Sequence, residues 1–255
     1  GGGSEARGRH YDRSGPLGTA ETALANDETL DRLPGSLPTD PMHWADAWLK
    51  EAVATGVQRN ANAMTIATVG ADHRPSARVV LCKAFVPDPG YQVFYNNYRS
   101  RKALELTGNT NAAALFHWDF LGRQVRIEGI IVRSPASESD AYFASRHWGS
   151  RLGAWGSDQS EPVASKDALV QQIRERGDQL GLSLADGTTT LADGNVPDIP
   201  RPPHWGGLRL WARSIELWIE GSDRIHDRGH WHRDIVRASD HEFSVTPWQG
   251  TRLQP

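Results

Sequence analysis

Residues 223–234, DRIHDRGHWHRD, hold three histidines and three arginines in twelve positions. Imidazoles so crowded are candidate metal ligands, guanidiniums are natural bidentate partners of phosphate or carboxylate, and His232-Arg233-Asp234 repeats the HRD of a kinase catalytic loop. The kinase reading lacks its context: position 239, where a metal-binding Asn belongs, is Ser239, and no Gly-rich loop or DFG occurs. The zinc reading is weak because His226, His230 and His232 have neither the HExxH spacing nor a cysteine pair behind them. As a strand, the stretch puts Arg224, His226 and Arg228 on one face. Two guanidiniums flanking an imidazole invite an anion, although a solvated charged strand would read the same way. Beyond Gly229, the residues His230, His232, Arg233 and Asp234 read as a solvated strand end.

Other cations are dispersed along the chain. In NNYRSRKALEL, Arg99, Arg101 and Lys102 crowd the start of a helix with Ser100 as its N-cap. Cations there oppose the helix macrodipole, and a bound anion would reverse the sign of that problem. In RVVLCK, Arg78 and Lys83 are five apart and face opposite sides of a regular strand. In AYFASRHWGSRLG, Tyr142 and Arg146 share one helix face at i and i+4, and Ser150 follows a break near Gly149. A Tyr packed on an Arg stem is the plainer reading of that pair. Gln124, in GRQVRIEG, either satisfies a neighbouring strand or reads a polar ring edge. Neither GxGxxG, a Walker A loop nor GxSxG occurs, so dinucleotide-fold, P-loop and hydrolase readings lose their support. Dispersed cationic clusters on a frame with ten tryptophans suit a planar phosphorylated ligand, with two phosphates in all.

The elements that must position these groups follow from the spacing of apolar residues. The 255-residue chain is 38% hydrophobic and 23% charged with a net charge of −3, which predicts a globular protein without a chain-wide basic footprint for nucleic acid. Its single cysteine, Cys82, rules out an intrachain disulfide and fits a reducing, cytoplasmic setting. No apolar run is long enough to span a membrane. The opening GGGS lacks Met and reads as a cloning remnant, and residues 1–38 read as a mobile arm. A single domain is expected over 39–255. Asp40-Pro41 caps a helix whose Trp44, Ala45, Trp48, Leu49, Ala52 and Val53 recur at helical spacing. NAMTIATV, RVVLCKAF, YQVFYN, AAALFHW and RQVRIEGIIV then read as strands, and GLRLWAR, SIELWIE, the histidine-rich stretch and EFSVTPW as closing strands. Helices are expected near 135–146 and 165–176, and a long loop over 177–203. Closely spaced strands with short turns predict a mainly β chain with inserted helices, an antiparallel sheet or barrel.

The ordered set DPMHWADAWLKEA, RVVLCK, VFYNNYRSRKA, RQVRIEG, YFASR, GSRLGAWGSDQS, HWGGLRL, IELWIEGSDRIHDR and TRLQP resembles the pyridoxine (pyridoxamine) 5'-phosphate oxidase family from about residue 38 to 255. That resemblance implies an FMN-binding split β-barrel (α+β) working as a homodimer, with FMN at the subunit interface. It implies FMN contacts from Arg78, Val79, Val80, Leu81, Lys83, Tyr95, Asn96, Arg101, Lys102, Gln124, Gln159, Ser160, Trp218 and Arg228. The phosphate of a vitamin B6 substrate would fall to Lys83, Tyr142, Arg146 and Ser150. Arg224 and His226 would lie against its ring as the catalytic pair, with Tyr11 closing from the N-terminal arm. The implied reaction moves a hydride equivalent from C4' of pyridoxine or pyridoxamine 5'-phosphate to flavin N5. Pyridoxal 5'-phosphate results, with O2 reduced to hydrogen peroxide and no metal involved. Asn60-Ala61 replaces the family's usual acidic residue and Pro, and SRHW replaces its common SRP. A flavin oxidase of phenazine-type biosynthesis, or a non-catalytic binder of flavin or pyridoxal phosphate, remains as an alternative.

Overall fold

The computed structural model describes residues 32–56, 58–182, 184 and 198–255. Helix α1 (Pro41–Thr55) starts as its sequence dictates: Asp40 is extended and its Oδ1 accepts from the Met42 amide at 2.8 Å, Pro41 occupies the first turn, and Gly56 ends the helix at φ 61°. Of the stripe that the spacing marks it buries Ala45, Trp48, Leu49 and Ala52, with Met42 added; Trp44 is partly buried, and Val53, in the last turn, is exposed. Then follow β1 (Ala63–Val69), β2 (Pro75–Leu81), β3 (Ala84–Val86), β4 (Tyr91–Asn97), α2 (Arg101–Gly108), β5 (Asn111–Trp118) and β6 (Arg123–Arg133). Three helices come next, α3 (Ala136–Ser145), α4 (Trp148–Gly156) and α5 (Lys166–Gln179). The chain closes with β7 (Trp205–Ile219), β8 (Asp227–His232), β9 (Ile235–Arg237), β10 (Phe243–Val245) and β11 (Gln249–Leu253).

The mainly β class with inserted helices holds. One nine-stranded antiparallel sheet runs β11-β8-β7-β6-β5-β1-β2, and β4 joins β3 to β7. The two expected runs GLRLWAR and SIELWIE are one strand of 15 residues. Along one edge β7 pairs with β6; its other edge is shared, β4 taking Trp205 to Trp211 and β8 taking Ser214 to Ile219. That sharing curls the sheet into a half-barrel. The curl needs Gly129, where the β6–β7 register shifts: a Cβ there would lie 1.8 Å from the Trp211 carbonyl oxygen. Inward residues of the curl form the core, among them Ile66, Phe94, Phe116, Trp118, Val125, Ile127, Leu210, Ile215, Leu217 and Trp231.

Several expectations are corrected. RVVLCKAF is two strands, β2 and β3, parted at Cys82-Lys83; buried Cys82 donates its thiol to the Ala84 carbonyl at 3.3 Å. Ser100 stands at the N-cap of α2, but its hydroxyl makes no cap bond. The break expected near Gly149 falls at Arg146-His147, and α4 begins directly after it. The expected mobile arm lies mostly outside the described residues, and its last part is packed: Leu33 is 1% exposed and its amide donates to Asp227. Much of the 177–203 loop also lies outside the described residues, and α5 runs into its start. Arg233 is not a solvated strand end. It is 5% exposed, lies over the Trp248 ring at 4.2 Å, and donates to the carbonyls of Ala212 and Gly90, where β7 passes from β8 to β4. The tryptophan fills that role because it shields the guanidinium stem while the carbonyls satisfy its head. Among the described residues no helix is long and apolar enough to cross a membrane.

Candidate functional site

A cavity of about 830 Å³ opens between β2, β4, the start of α2 and the α3–α4 corner. Arg78 and Lys83 both line it. The strand ends at Leu81 and the Lys83 amide turns to the Val93 carbonyl, so the opposite-face expectation of a regular strand fails. Arg78 donates to Thr68 Oγ1 at 2.5 Å, to Ser76 Oγ, and to Glu105 at 3.3 Å. Arg101 donates from Nε to the other Glu105 oxygen at 2.9 Å, and its amide reaches Ser160 Oγ at 3.2 Å. Lys102 is 7% exposed and donates to Ser100 Oγ and Gln159 Oε1, neither of them charged. Its pKa falls to about 8, first through burial and then through the nearby charge of Arg78. Glu105 goes the other way. Partial burial raises its pKa, but hydrogen bonds from Thr68, Ser76 and Arg101 and the charge of Arg78 outweigh that and hold it at about 2.

The α3–α4 corner carries the second cluster. Arg146 is the C-cap of α3 and already extended (φ −76°, ψ 147°), so it does not share a helical face with Tyr142. Both still line the cavity, as does Ser150 in the first turn of α4. The Tyr142 ring stacks on Tyr95 with centroids 3.9 Å apart, and Trp205 lies parallel to both. Arg146 sits over Trp205 at 4.7 Å. Its Nη1 is buried without a hydrogen-bond partner, as are both side-chain amide atoms of Asn96. Orphaned polar atoms in side chains that line a cavity fit a polar ligand there. His147, standing where SRP would place a proline, caps α4 by accepting the Gly149 amide at Nδ1.

Fourteen of the expected site residues line this one cavity: Arg78 to Leu81, Lys83, Tyr95, Asn96, Arg101, Lys102, Tyr142, Arg146, Ser150, Gln159 and Ser160. Five do not. Gln124, Trp218 and Arg228 lie in direct register across β6, β7 and β8, forming a row on the outer face of the sheet. Arg228 is gripped by buried Glu216, Nε to Oε1 at 2.9 Å and Nη2 to Oε2 at 3.1 Å, and Arg126 donates to the same carboxylate at 2.7 Å. Arg224 and His226 precede β8 in a tight turn rather than a strand, so the shared face of Arg224, His226 and Arg228 is not formed. Asp223 and Arg224 take left-handed φ values of 54° and 63°. His226 accepts the Gly221 amide at 3.2 Å and its ring lies 4.6 Å from that of Trp218. Tyr11 lies outside the described residues. Glu105, Trp205 and Glu216 were missed. Glu105 carries a usable signal, its i+4 spacing from Arg101; Glu216 carries none, since its partners Arg126 and Arg228 lie far from it in sequence.

Residues 49–180 match the model of the family described as pyridoxamine 5'-phosphate oxidase, and residues 205–255 match the pyridoxine 5'-phosphate oxidase C-terminal dimerisation region. The chain belongs to the pyridoxamine 5'-phosphate oxidase family. The pyridoxine/pyridoxamine 5'-phosphate oxidase of Burkholderia vietnamiensis (strain G4 / LMG 22486) is 44% identical over 216 residues, 85% of this chain and 89% of that protein. The protein of the same name from Paraburkholderia xenovorans (strain LB400) is 43% identical over 221 residues, 87% and 92% of the two chains. Among solved structures, PhzG from Burkholderia lata 383 in complex with tetrahydrophenazine-1-carboxylic acid matches with a TM-score of 0.68 at 30% identity, covering 86% of this chain and 94% of that one. A pyridoxamine 5'-phosphate oxidase-related, FMN binding protein from Nostoc punctiforme PCC 73102 shares the fold, with a TM-score of 0.58 at 18% identity over 86% of this chain and all of that one. Within the pyridoxamine 5'-phosphate oxidase family, the region described as dimerising contains Glu216, Trp218, Arg224, His226 and Arg228, four of the five expected site residues outside the cavity among them.

Proposed function

We propose that the protein is an FMN-dependent oxidase that converts pyridoxine or pyridoxamine 5'-phosphate to pyridoxal 5'-phosphate and reduces O2 to hydrogen peroxide. The observation that carries this reading is the meeting of two cationic clusters, Arg78-Arg101-Lys102 and Lys83-Arg146, in one cavity. Two phosphorylated ligands need two such clusters, and arginine suits phosphate because its planar fork matches two oxygens. Arg101 and Lys102, with Ser160, would hold the FMN phosphate; Lys83, Tyr142, Arg146 and Ser150 would hold that of the substrate. Bound FMN supplies the hydride acceptor and the route for electrons to O2.

The protein works as a homodimer in this reading. The outer row Gln124, Trp218 and Arg228, with Arg224 and His226 beside it, completes the cavity of the other protomer. Arg224 then holds the substrate ring and stabilises charge developing near C4', while His226, tied to Gly221, orients it. Positioning accounts for much of what such side chains contribute.

Anaerobic addition of pyridoxine 5'-phosphate to the FMN-loaded protein is expected to bleach the flavin absorbance, and air to restore it with release of peroxide. No bleaching by either B6 phosphate would refute the assignment. The likeness to PhzG keeps one rival, an oxidase of unphosphorylated polycyclic acids. Bleaching by a dihydrophenazine carboxylic acid, with B6 phosphates inert, would establish the rival.

Lys102 makes FMN affinity depend on pH. Below pH 8 its amine is already charged, and phosphate binding takes up no proton. Above about 8, binding must recharge it, so the Kd for FMN should rise by up to about tenfold per pH unit. Lys102→Arg should flatten that rise. Fluorescence titration between pH 6.5 and pH 9.5, values set by the range around this pKa, measures both.

A further inference from the structure

We propose that Glu105 is a positioning residue for the cofactor phosphate: it holds Arg78 and Arg101 in their binding geometry without touching the ligand itself. This rests on the reading of the α2 cluster as the FMN phosphate site. Glu105 does not line the cavity; Arg78 and Arg101 do. Among the described residues it is the only carboxylate hydrogen-bonded to that cluster. Its side chain is 11% exposed, and it ties three elements together: Thr68 of β1 donates to it at 2.5 Å, Ser76 of β2 at 2.7 and 2.9 Å, and Arg101 of α2 at 2.9 Å. Arg78 reaches it directly and again through the Thr68 hydroxyl. The carboxylate engages Nε of Arg101, which leaves the Nη1–Nη2 edge of that fork for an anion.

The charges fit the same role. Three cations and one carboxylate leave the cluster near +2, matched to a phosphate monoester of about −1.5 to −2 at neutral pH. Without Glu105, three cations would face each other across the β2–α2 seam, and the two arginine side chains would lose the partner that selects one rotamer each. Arginine carries much rotamer freedom, so an anchored fork loses less of it when the ligand arrives.

Two opposite results are therefore at stake when Glu105 becomes neutral. Simple electrostatics predicts tighter FMN binding, since a negative charge near a phosphate is removed. Positioning predicts weaker binding. With the full-length protein, Glu105→Gln is expected to raise the Kd for FMN by about tenfold or more, the usual cost of losing charged hydrogen bonds, and to leave the Kd for riboflavin unchanged within about twofold. Riboflavin lacks the phosphate, so its binding reports on the rest of the cavity. Glu105→Asp should recover part of the affinity. Thr68→Val, which keeps the buried shape and removes one of the two hydroxyls (Thr68 and Ser76) that relay Arg78 to Glu105, should weaken FMN by about threefold and again spare riboflavin. Unchanged or tighter FMN binding by the Gln and Val variants would overturn the inference, as would equal losses for both flavins across them. If the unaltered protein binds FMN no better than riboflavin, the phosphate reading of the cluster falls first, whatever Glu105 does.

Discussion

An Arg146→Ala enzyme is expected to need about ten to a hundred times more pyridoxine 5'-phosphate to reach half its maximal rate, with kcat changed by less than about threefold. The split follows from where Arg146 stands. Its guanidinium rests on Trp205, while Nη1 is buried with nothing to donate to. A phosphate that satisfies this donor relieves a cost the free protein bears. Because the phosphate takes no part in the change at C4', the contact is equally strong before and during the reaction, which affects KM and not kcat. Arg146→Lys keeps the charge but loses the fork and the stacking plane, so it should recover only part of the loss. A steady-state comparison of the two variants decides it. An unchanged KM would remove Arg146 from the substrate site; a fall in kcat alone would move it to the chemistry.

The second large effect is expected from Gly221→Ala. Gly221 has ordinary extended dihedrals, φ −117° and ψ 152°, so the constraint is space and not backbone freedom. A Cβ there would lie 1.8 Å from the Ile225 carbonyl oxygen and 2.6 Å from its carbon. The turn from Ser222 to His226 must move outward, taking Arg224 and His226 with it and stretching the bond from the Gly221 amide to His226. Displacing reacting groups by about 1 Å can cost about a hundredfold in rate, and turnover should fall by that order. β8 is paired to β7 from Asp227 onward, so Tm should shift by only a few degrees. Single-turnover flavin reduction, read beside thermal unfolding, separates the two. A variant with parental turnover would show that this turn does not position the reaction.

The legible parts of the chain were those governed by local rules. Asp40-Pro41 announced α1 because capping involves only near neighbours. Arg101 and Lys102 stand out in the sequence because cations at a helix start conflict with the macrodipole, and the structure places both on the cavity wall. What escaped depended on contacts distant in sequence. Alternation made residues 223–234 look like one strand, but Gly221 and the left-handed Asp223 and Arg224 turn the chain before β8 begins. Arg233 was read as solvated because its shield, Trp248, and its acceptors at Gly90 and Ala212 belong to other segments. Arg78 and Lys83 share the cavity, and not opposite faces, because the strand ends at Leu81. Glu216 is buried because Arg126 and Arg228 close over it from both neighbouring strands, contacts that no local pattern carries.

The break between β2 and β3 has a chemical consequence of its own. It places the only thiol of the chain, Cys82, directly before cavity-lining Lys83. Peroxide attacks thiolates, not thiols. Burial pushes the Cys82 pKa up to about 12, despite hydrogen bonds at Val93 and Ala84 that act the other way. At neutral pH the thiol therefore stays protonated. A buried thiol held in its protonated form is the state of cysteine least open to oxidation, so the break between β2 and β3 sets Cys82 beside the cavity lining without making it reactive.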